Sequence, residues 1–588
     1  MATTTTTTAP ARPVTRGEAL RGSLARGWAR VRLPLLAAPV GGVIGIVGSV
    51  LYWTVATLIS QARGLPLSGN LYNYGVGGVR FYVLVLAVAA TVLGVLALRR
   101  PSLRVDRTGR VLGRLGLGVA AVPVGWILVL ELFEGLSVSK VGPGPWASMA
   151  GGVVVWLAGR SLVDPEAPPL RDQPWQRRSR ATDLALVVVT GLLGFLVFFW
   201  GVRVDDPGEF VGYFVGLVAA MLALSRLGVF KGLAGPFERE RTAAITTLVV
   251  LLLAFPVLQQ ELSNDTFWVR VAAQAGIFVV AALGLNIVVG SAGLLDLGYV
   301  AFVGIGAYTA ALVGNAGLAR FQFPHLPFIL VLLVLSPMVA GIFGVLLGAP
   351  TLRLRGDYLA IVTLGFGEIV RITLNNLDPL TGGPNGIASI PAPALFGKQL
   401  SDGLKLGGLE ISGNAMYYYL ALLLIALVLG VIYRLNDSRL GRAWVAIRED
   451  EVAAAAMGIN TTITKLFAFG SGAFFAGMAG SVDAHFGTQV SPDSYVFQIS
   501  VLILAMVVLG GLGNPPGVAL GAALLVFLPE KLRDLSDIRF LLFGIALVLI
   551  MRFRPEGLLP SARRRRELRA AGEEAAAESQ QLYDVRGV

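Results

Sequence analysis

Apolar residues run through this chain in long blocks instead of alternating with polar ones. The blocks have the length of a membrane crossing, which needs about 20 predominantly apolar residues in a helix. They lie near 35–60, 81–98, 115–133, 146–163, 181–201 and 209–227. A second series follows near 243–260, 266–290, 293–314, 325–348, 357–376, 415–434, 464–484, 495–512, 516–529 and 538–552. The stretch 516–529 is short for a span, and 357–376 carries Glu368 and Arg371, so both are expected to be broken, tilted or re-entrant. The pattern predicts an all-α, polytopic transmembrane helix bundle with about 14–16 membrane segments.

Charge orients the blocks. If the N-terminus is cytoplasmic and every block crosses, the inside segments are 1–34, 99–114, 164–180, 228–242, 349–356, 434–465 and the tail from 552. These hold most of the 48 lysines and arginines, whereas the outside turns at 203–209 and 261–265 lean acidic. Both termini are then cytoplasmic. The net charge of +12 reads as membrane orientation and not as a nucleic-acid surface. Four regions are expected: a Thr-rich, basic arm over 1–34, a transmembrane extension of about six helices over 35–238, a second transmembrane domain over 239–560, and a cytoplasmic tail over 561–588.

With 55% hydrophobic and 14% charged residues, a soluble core of this size is excluded. The chain has no cysteine, which removes disulfides, thiol catalysis and Cys-bound metal. His325 and His485 are the only histidines, too few for a metal site without carboxylate help. No Gly-x-x-x-x-Gly-Lys-Ser/Thr loop, Gly-x-Ser-x-Gly elbow or His-Glu-x-x-His helix occurs. No cofactor, metal or catalytic constellation is therefore expected, and ATP would have to bind elsewhere. The pairs Gly344/Gly348 and Gly517/Gly521 each put two glycines on one helix face, as close helix packing in a membrane requires.

Polar residues concentrate in three places. From Leu283 to Thr309, glycines interrupt two apolar runs around Asn286, Asp296, Tyr299, Tyr308 and Thr309. Two readings of Asp296 stand side by side: a break at membrane depth lined by protein or water, or an ordinary turn between helices. In the second stretch, Thr363, Glu368, Arg371 and Asn375 follow one another in a span, with Glu368 and Arg371 three apart and so on one face. Their pairing is expected, as a structural ion pair or as part of a pathway. The third stretch, Ser438 to Asn460, is Ala-rich and too polar to span. It suits a short helix docking in a soluble partner, or one lying on the membrane.

Together these stretches resemble the permease family of branched-chain amino acid importers, specifically the LivM subunit type. The resemblance rests on Leu285-Asn-Ile-Val-Val-Gly-Ser-Ala-Gly-Leu-Leu-Asp-Leu-Gly-Tyr299 and on Arg355-Gly-Asp-Tyr-Leu-Ala-Ile-Val-Thr-Leu-Gly-Phe-Gly-Glu-Ile369. It continues through Thr381-Gly-Gly-Pro-Asn-Gly386, Arg442-Ala-Trp-Val-Ala-Ile-Arg-Glu-Asp-Glu451, Gly458-Ile-Asn460, Gly510-Gly-Leu-Gly-Asn514 and Arg554-Pro-Glu-Gly-Leu558. It covers 243–560; the first six blocks lie outside it.

The resemblance implies a transport subunit, not an enzyme, in the bacterial cytoplasmic membrane. Its implied partners are a second, LivH-like permease, two cytoplasmic LivG/LivF-like ATPases, an extracytoplasmic amino-acid-binding protein and membrane lipid. The family's ATPase-coupling loop maps onto Gly441, Arg442, Arg448, Glu449, Asp450 and Gly458. Candidate pathway residues are Asn286, Tyr308, Thr309, Thr363, Glu368 and Asn375. Import of urea, amides or other small amino-acid-like solutes is the alternative within the family. A secondary transporter or channel working without ATP is the alternative outside it, with Glu368 as its coupling carboxylate.

Overall fold

The computed structural model describes residues 34–51, 79–99, 105–133, 141–162, 179–204, 207–227, 229–263, 266–314, 327–351, 357–395, 398–406, 409–531, 533, 544, 548, 552 and 557–559. The arm 1–33, the loop 164–178, the tail 561–588, His325, Arg355 and nearly all of block 538–552 lie outside these residues. Ten helices are long and apolar enough to cross a membrane, and three shorter apolar helices accompany them among the described residues. The chain divides into two compact units, before and after residue 252.

The first unit contains α1 (Pro34–Val50), α2 (Val79–Arg99), α3 (Val105–Phe133), α4 (Pro143–Ser161), α5 (Arg180–Arg203), α6 (Pro207–Leu227) and α7 (Val229–Arg239). Its core joins α1, α2, α3, α4 and α6 through Ala38, Val83, Ala87, Leu112, Val119, Val155 and Ala219. Glycine sets the spacing. A methyl group at Gly152 of α4 would lie 2.5 Å from the Ala120 nitrogen and 2.7 Å from the Gly116 carbonyl oxygen, so α3 and α4 touch backbone to backbone. In the first turn of α5, buried Asp183 accepts from Arg239 Nη1 at 2.9 Å.

Helix α8 (Arg241–Ser263) crosses the boundary between units. The second unit then has α9 (Phe267–Leu285), α10 (Val300–Gly314), α11 (Phe328–Thr351), α12 (Asp357–Asn376), α13 (Gly413–Asp437), α14 (Arg439–Glu449), α15 (Glu451–Ala456), α16 (Thr461–Gly487), α17 (Phe497–Gly510) and α18 (Pro515–Lys531). Two antiparallel hairpins, β1 (Ala394–Leu395) with β2 (Lys398–Gln399) and β3 (Leu404–Leu406) with β4 (Leu409–Ile411), decorate the α12–α13 connection. The architecture is all-α apart from these.

Helix α9 is the axle. Its apolar stretch is 89% buried, which small residues on every side permit: Ala272, Ala273, Ala275, Gly276, Ala281, Ala282 and Gly284. It packs against α13, α16 and α18, while α16 also packs against α10 and α11. The expected glycine packing holds at Gly344, 2.5 Å from Ala473 Cβ for an added methyl, and at Gly521, 2.7 Å from the Gly510 nitrogen.

Three expected spans change shape. Block 357–376 is one continuous helix, α12, because the Glu368–Arg371 pair needs no break. Block 293–314 is helical only from Val300, since Gly293 takes a positive φ of 72° and the chain stays irregular to Tyr299. Block 516–529 is the short helix α18, which packs against α9 and α17.

Candidate functional site

The polar chemistry of the second unit gathers in two clusters. The first contains an elbow made of α14 and α15. Each of its corners is set by a side chain that caps the next helix: Ser438 accepts from the Gly441 N–H at 3.4 Å. Asp450 Oδ1 accepts from Val452 and Ala453 at 2.8 and 2.9 Å, and Asn460 Oδ1 from Ile463 at 3.1 Å. Ser, Asp and Asn fill these positions because their oxygens satisfy the free N–H groups at a helix start. Gly441 fits where a methyl would meet the Asn436 carbonyl oxygen at 2.5 Å, and Gly458 ends α15 with a φ of 85°.

The elbow is fastened to α16. Trp444 is fully buried and its Nε1 donates to the Thr464 carbonyl at 2.9 Å, while Lys465 Nζ reaches Glu451 Oε1 at 2.5 Å. Its exposed face presents Arg442, Glu449, Asp450, Val452 and Ala453, with Met457 84% exposed at the tip. A charged, partly apolar, well-capped helical tip is what a groove in another protein would accept.

Beside the elbow lies the break in α9. The helix leaves Leu285 through a single π-helical segment, Asn286–Ser291, and then loses regular structure. Asn286 is buried, and its Oδ1 accepts from the Gly513 N–H at 2.9 Å, tying the segment to the turn after α17. Asp296 is buried and caps the turn by accepting from the Gly298 N–H at 2.9 Å. Thr363 of α12 accepts from the Leu297 N–H at 3.0 Å, and Ser500 from the Val300 N–H at 2.9 Å. Tyr299 Oη donates within reach of the Ala281 and Gly472 carbonyls, at 2.9 and 3.0 Å. A methyl at Gly298 would fall on the Thr363 carbonyl oxygen. Irregular backbone inside a bundle survives because side chains from α12 and α17, with Asp296 of the turn itself, replace the missing helix bonds.

A second cluster has different chemistry. Glu368 Oε1 accepts from Arg371 Nε at 3.0 Å, and Arg371 Nη1 lies 3.5 Å from Asp493. Ile387 and Val490 exchange backbone hydrogen bonds of 2.9 Å. Tyr308 stacks edge-on against Tyr495 at 6.4 Å, and Tyr495 Oη donates to Asp483 at 3.3 Å. Asp483 also accepts from Gln274 Nε2 at 3.4 Å.

The predicted residues therefore fall into separate places. Asn286 and Thr363 each brace the break through a different partner, Gly513 and Leu297, Tyr308 lies by Tyr495, and Glu368 lies by Arg371, which also approaches Asp493. Thr309 bonds back to its own helix at Ile305, and Asn375 sits half-buried near the end of α12. Of the elbow residues, Arg442 and Glu449 face outward, whereas Arg448 turns inward and donates to the Gly290 carbonyl at 2.6 Å. Sequence reasoning passed over Asp483, Gln274 and Tyr495. A lone carboxylate within an apolar run was the available signal. Among the described residues no group of three His, Asp or Glu side chains converges as a metal site.

A family model described as the branched-chain amino acid transport system permease component matches residues 267–551. The high-affinity branched-chain amino acid transport system permease protein LivM of Salmonella typhimurium is 44% identical over 347 residues, covering 56% of this chain and 78% of the relative. The protein of that name in Escherichia coli has the same identity and coverage. The probable branched-chain amino acid transport permease protein LivM of Methanocaldococcus jannaschii is 26% identical over 249 residues, covering 39% of this chain and 68% of the relative. No solved structure matches the chain. Two relatives at this identity, each matched over 78% of its length, and a family model that runs across the second unit from α9 to α18 decide the assignment: the chain belongs to the LivM family of branched-chain amino acid transport permeases.

Proposed function

We propose that this chain is a permease subunit of an ATP-driven importer for branched-chain amino acids in the cytoplasmic membrane. The observation that carries the substrate is the 44% identity to permeases named for that cargo. Residues 239–560 form the transporting part in this reading, and the helical extension before them lies outside the family match. A LivH-like permease completes the pathway, LivG/LivF-like ATPases drive it from inside, and an external binding protein delivers the amino acid. The elbow end faces the cytoplasm, in keeping with the basic residues of 434–465.

In this mechanism no bond in the substrate changes. Closure of the ATPase pair moves α14 and α15, and the bundle passes between outward-open and inward-open states. Arg442, Glu449, Asp450 and Gly458 belong to the ATPase-facing surface, with Val452 and Met457 as its apolar contacts. Asn286, Tyr308, Thr309, Thr363, Glu368 and Asn375 are the polar residues to test for an effect on cargo movement.

Vesicles rebuilt with all partners test the reading. ATP-dependent uptake of leucine is expected, and uptake of urea without leucine reassigns the cargo. Uptake that persists without the ATPases would favour a secondary transporter. Met457→Asp puts a charge on the elbow tip and is expected to reduce ATPase co-purification about tenfold, the loss of about 1.4 kcal/mol of binding. Unchanged capture and unchanged transport would remove the elbow from the ATPase interface.

A further inference from the structure

Building on the ATPase-docked elbow, we propose that Arg448 is a positioning residue that latches the elbow to the broken helix, so that ATPase motion enters the bundle at the joint between α9 and α10. Arg448 Nη1 donates to the Gly290 carbonyl at 2.6 Å, a bond between residues 158 apart in the chain. That carbonyl lies where the helix ends. The Leu294 N–H, which a continuous α-helix would aim at Gly290, bonds instead to Val288 at 3.0 Å. The C-terminal end of a helix holds unsatisfied carbonyls and partial negative charge, and a guanidinium answers both.

The stem of Arg448 is fitted as closely as its head. Gly293, with its φ of 72°, lies under it, and a methyl there would come within 2.8 Å of Arg448 Cγ. On the other side of the same carbonyl, a methyl at Gly290 would strike Asn286 Oδ1 and lie 2.6 Å from the Gly513 nitrogen. Gly513 in turn donates to Asn286, and Asn514 Nδ2 donates to the Leu559 carbonyl at 2.6 Å. Four segments thus meet at one joint: the elbow helix, the π-helical turn, the irregular stretch and the turn after α17. Glycine at three of the contact positions leaves no slack between them.

This geometry separates Arg448 from its neighbours. Trp444 and Lys465 hold the elbow to α16, the next helix in sequence. Arg442 keeps its Nη1 on the Asp437 carbonyl of the preceding helix, at 2.9 Å. The Arg448 bond carries displacement sideways into a helix that is already interrupted. A continuous helix resists bending along its whole hydrogen-bond ladder, whereas an interrupted one can re-angle at the gap.

The test uses the full chain with its partners in vesicles and reads three quantities: ATPase capture, ATP hydrolysis and uptake. Arg448→Met keeps the apolar stem over Gly293 and removes every donor. Expected are ATPase capture within twofold of the natural protein, continued hydrolysis, and at least a tenfold fall in cargo moved per ATP. Arg448→Lys, which can still donate to Gly290, is expected to recover part of that ratio. If Arg448→Met fails to assemble, Arg448→Lys carries the same measurement, with a lowered ratio at normal capture as the expected result. An unchanged ratio in the variant that assembles overturns the latch. So does a loss of capture that accounts for the whole loss of uptake, because Arg448 would then be a docking residue. The docking reading fails on a different result, normal capture in both Met457→Asp and Val452→Asp, which face away from the joint.

Discussion

The two units use the same material and bury different things. Both pack apolar helices through glycine, as Gly152 does between α3 and α4 and Gly521 does between α17 and α18. In the first unit those contacts lie within unbroken helices. In the second, the most buried helix is interrupted, and polar side chains from distant segments close the gap: Asn286 to Gly513, Thr363 to Leu297, Ser500 to Val300. The apolar stretch of α9 is 89% buried and that of α5 only 17%. One unit shows how membrane helices are stacked, and the other how one is broken without being left unsatisfied. The break costs ordinary helix bonds, so it persists only where the surroundings supply replacements.

Substitutions can split this comparison. The largest effect is expected from Trp444→Ala, which empties a fully buried site in the elbow and removes the indole N–H bond to the Thr464 carbonyl. A loss of about 3–5 kcal/mol is expected, read as a fall in the thermal midpoint of the purified complex. Next come two glycines under similar pressure. Gly298→Ala and Gly152→Ala each drive a methyl into backbone, and each should cost about 1–3 kcal/mol. If the second unit alone holds the moving joint, Gly298→Ala also abolishes uptake in whatever folds, and Gly152→Ala leaves uptake per folded molecule intact. Equal losses of uptake would erase the distinction. Asn460→Ala removes one cap of the elbow and should cost about 1 kcal/mol, measured the same way. The smallest effect is expected at Thr309→Val. Its hydroxyl bonds only to Ile305 of its own helix in the structure, and a change within about 0.5 kcal/mol with normal uptake would take it off the pathway.

Much of the fold was legible because membrane helices announce themselves by length and composition. Blocks 243–260 and 464–484 stand as α8 and α16, extended by a few residues at their ends. The glycines between Leu283 and Thr309 signalled an interruption between two helices, either within the membrane or as an ordinary turn, and the chain is π-helical and then irregular there. Its form was not legible. Whether Asp296 caps a turn depends on Gly298 two residues away, but whether that turn survives depends on Thr363 and Ser500, far along the chain. The elbow was legible as polar, Ala-rich sequence, yet the direction of Arg448 was hidden. Its neighbour Glu449 has the same exposed, helical setting in sequence, and only the fold brings Gly290 beside one and not the other. Asp483 was missed for a related reason, as its partners Gln274 and Tyr495 sit on other elements.

The elbow tip ends in Met457, an unbranched thioether standing almost clear of the protein and followed by a glycine in the left-handed conformation. A branched side chain would match one shape of cleft. Methionine has three freely turning bonds and a soft sulfur, so in the docking proposed above it would follow an ATPase cleft whose walls change as nucleotide is bound and spent. Grip can then last through a whole turnover instead of being remade at each stage.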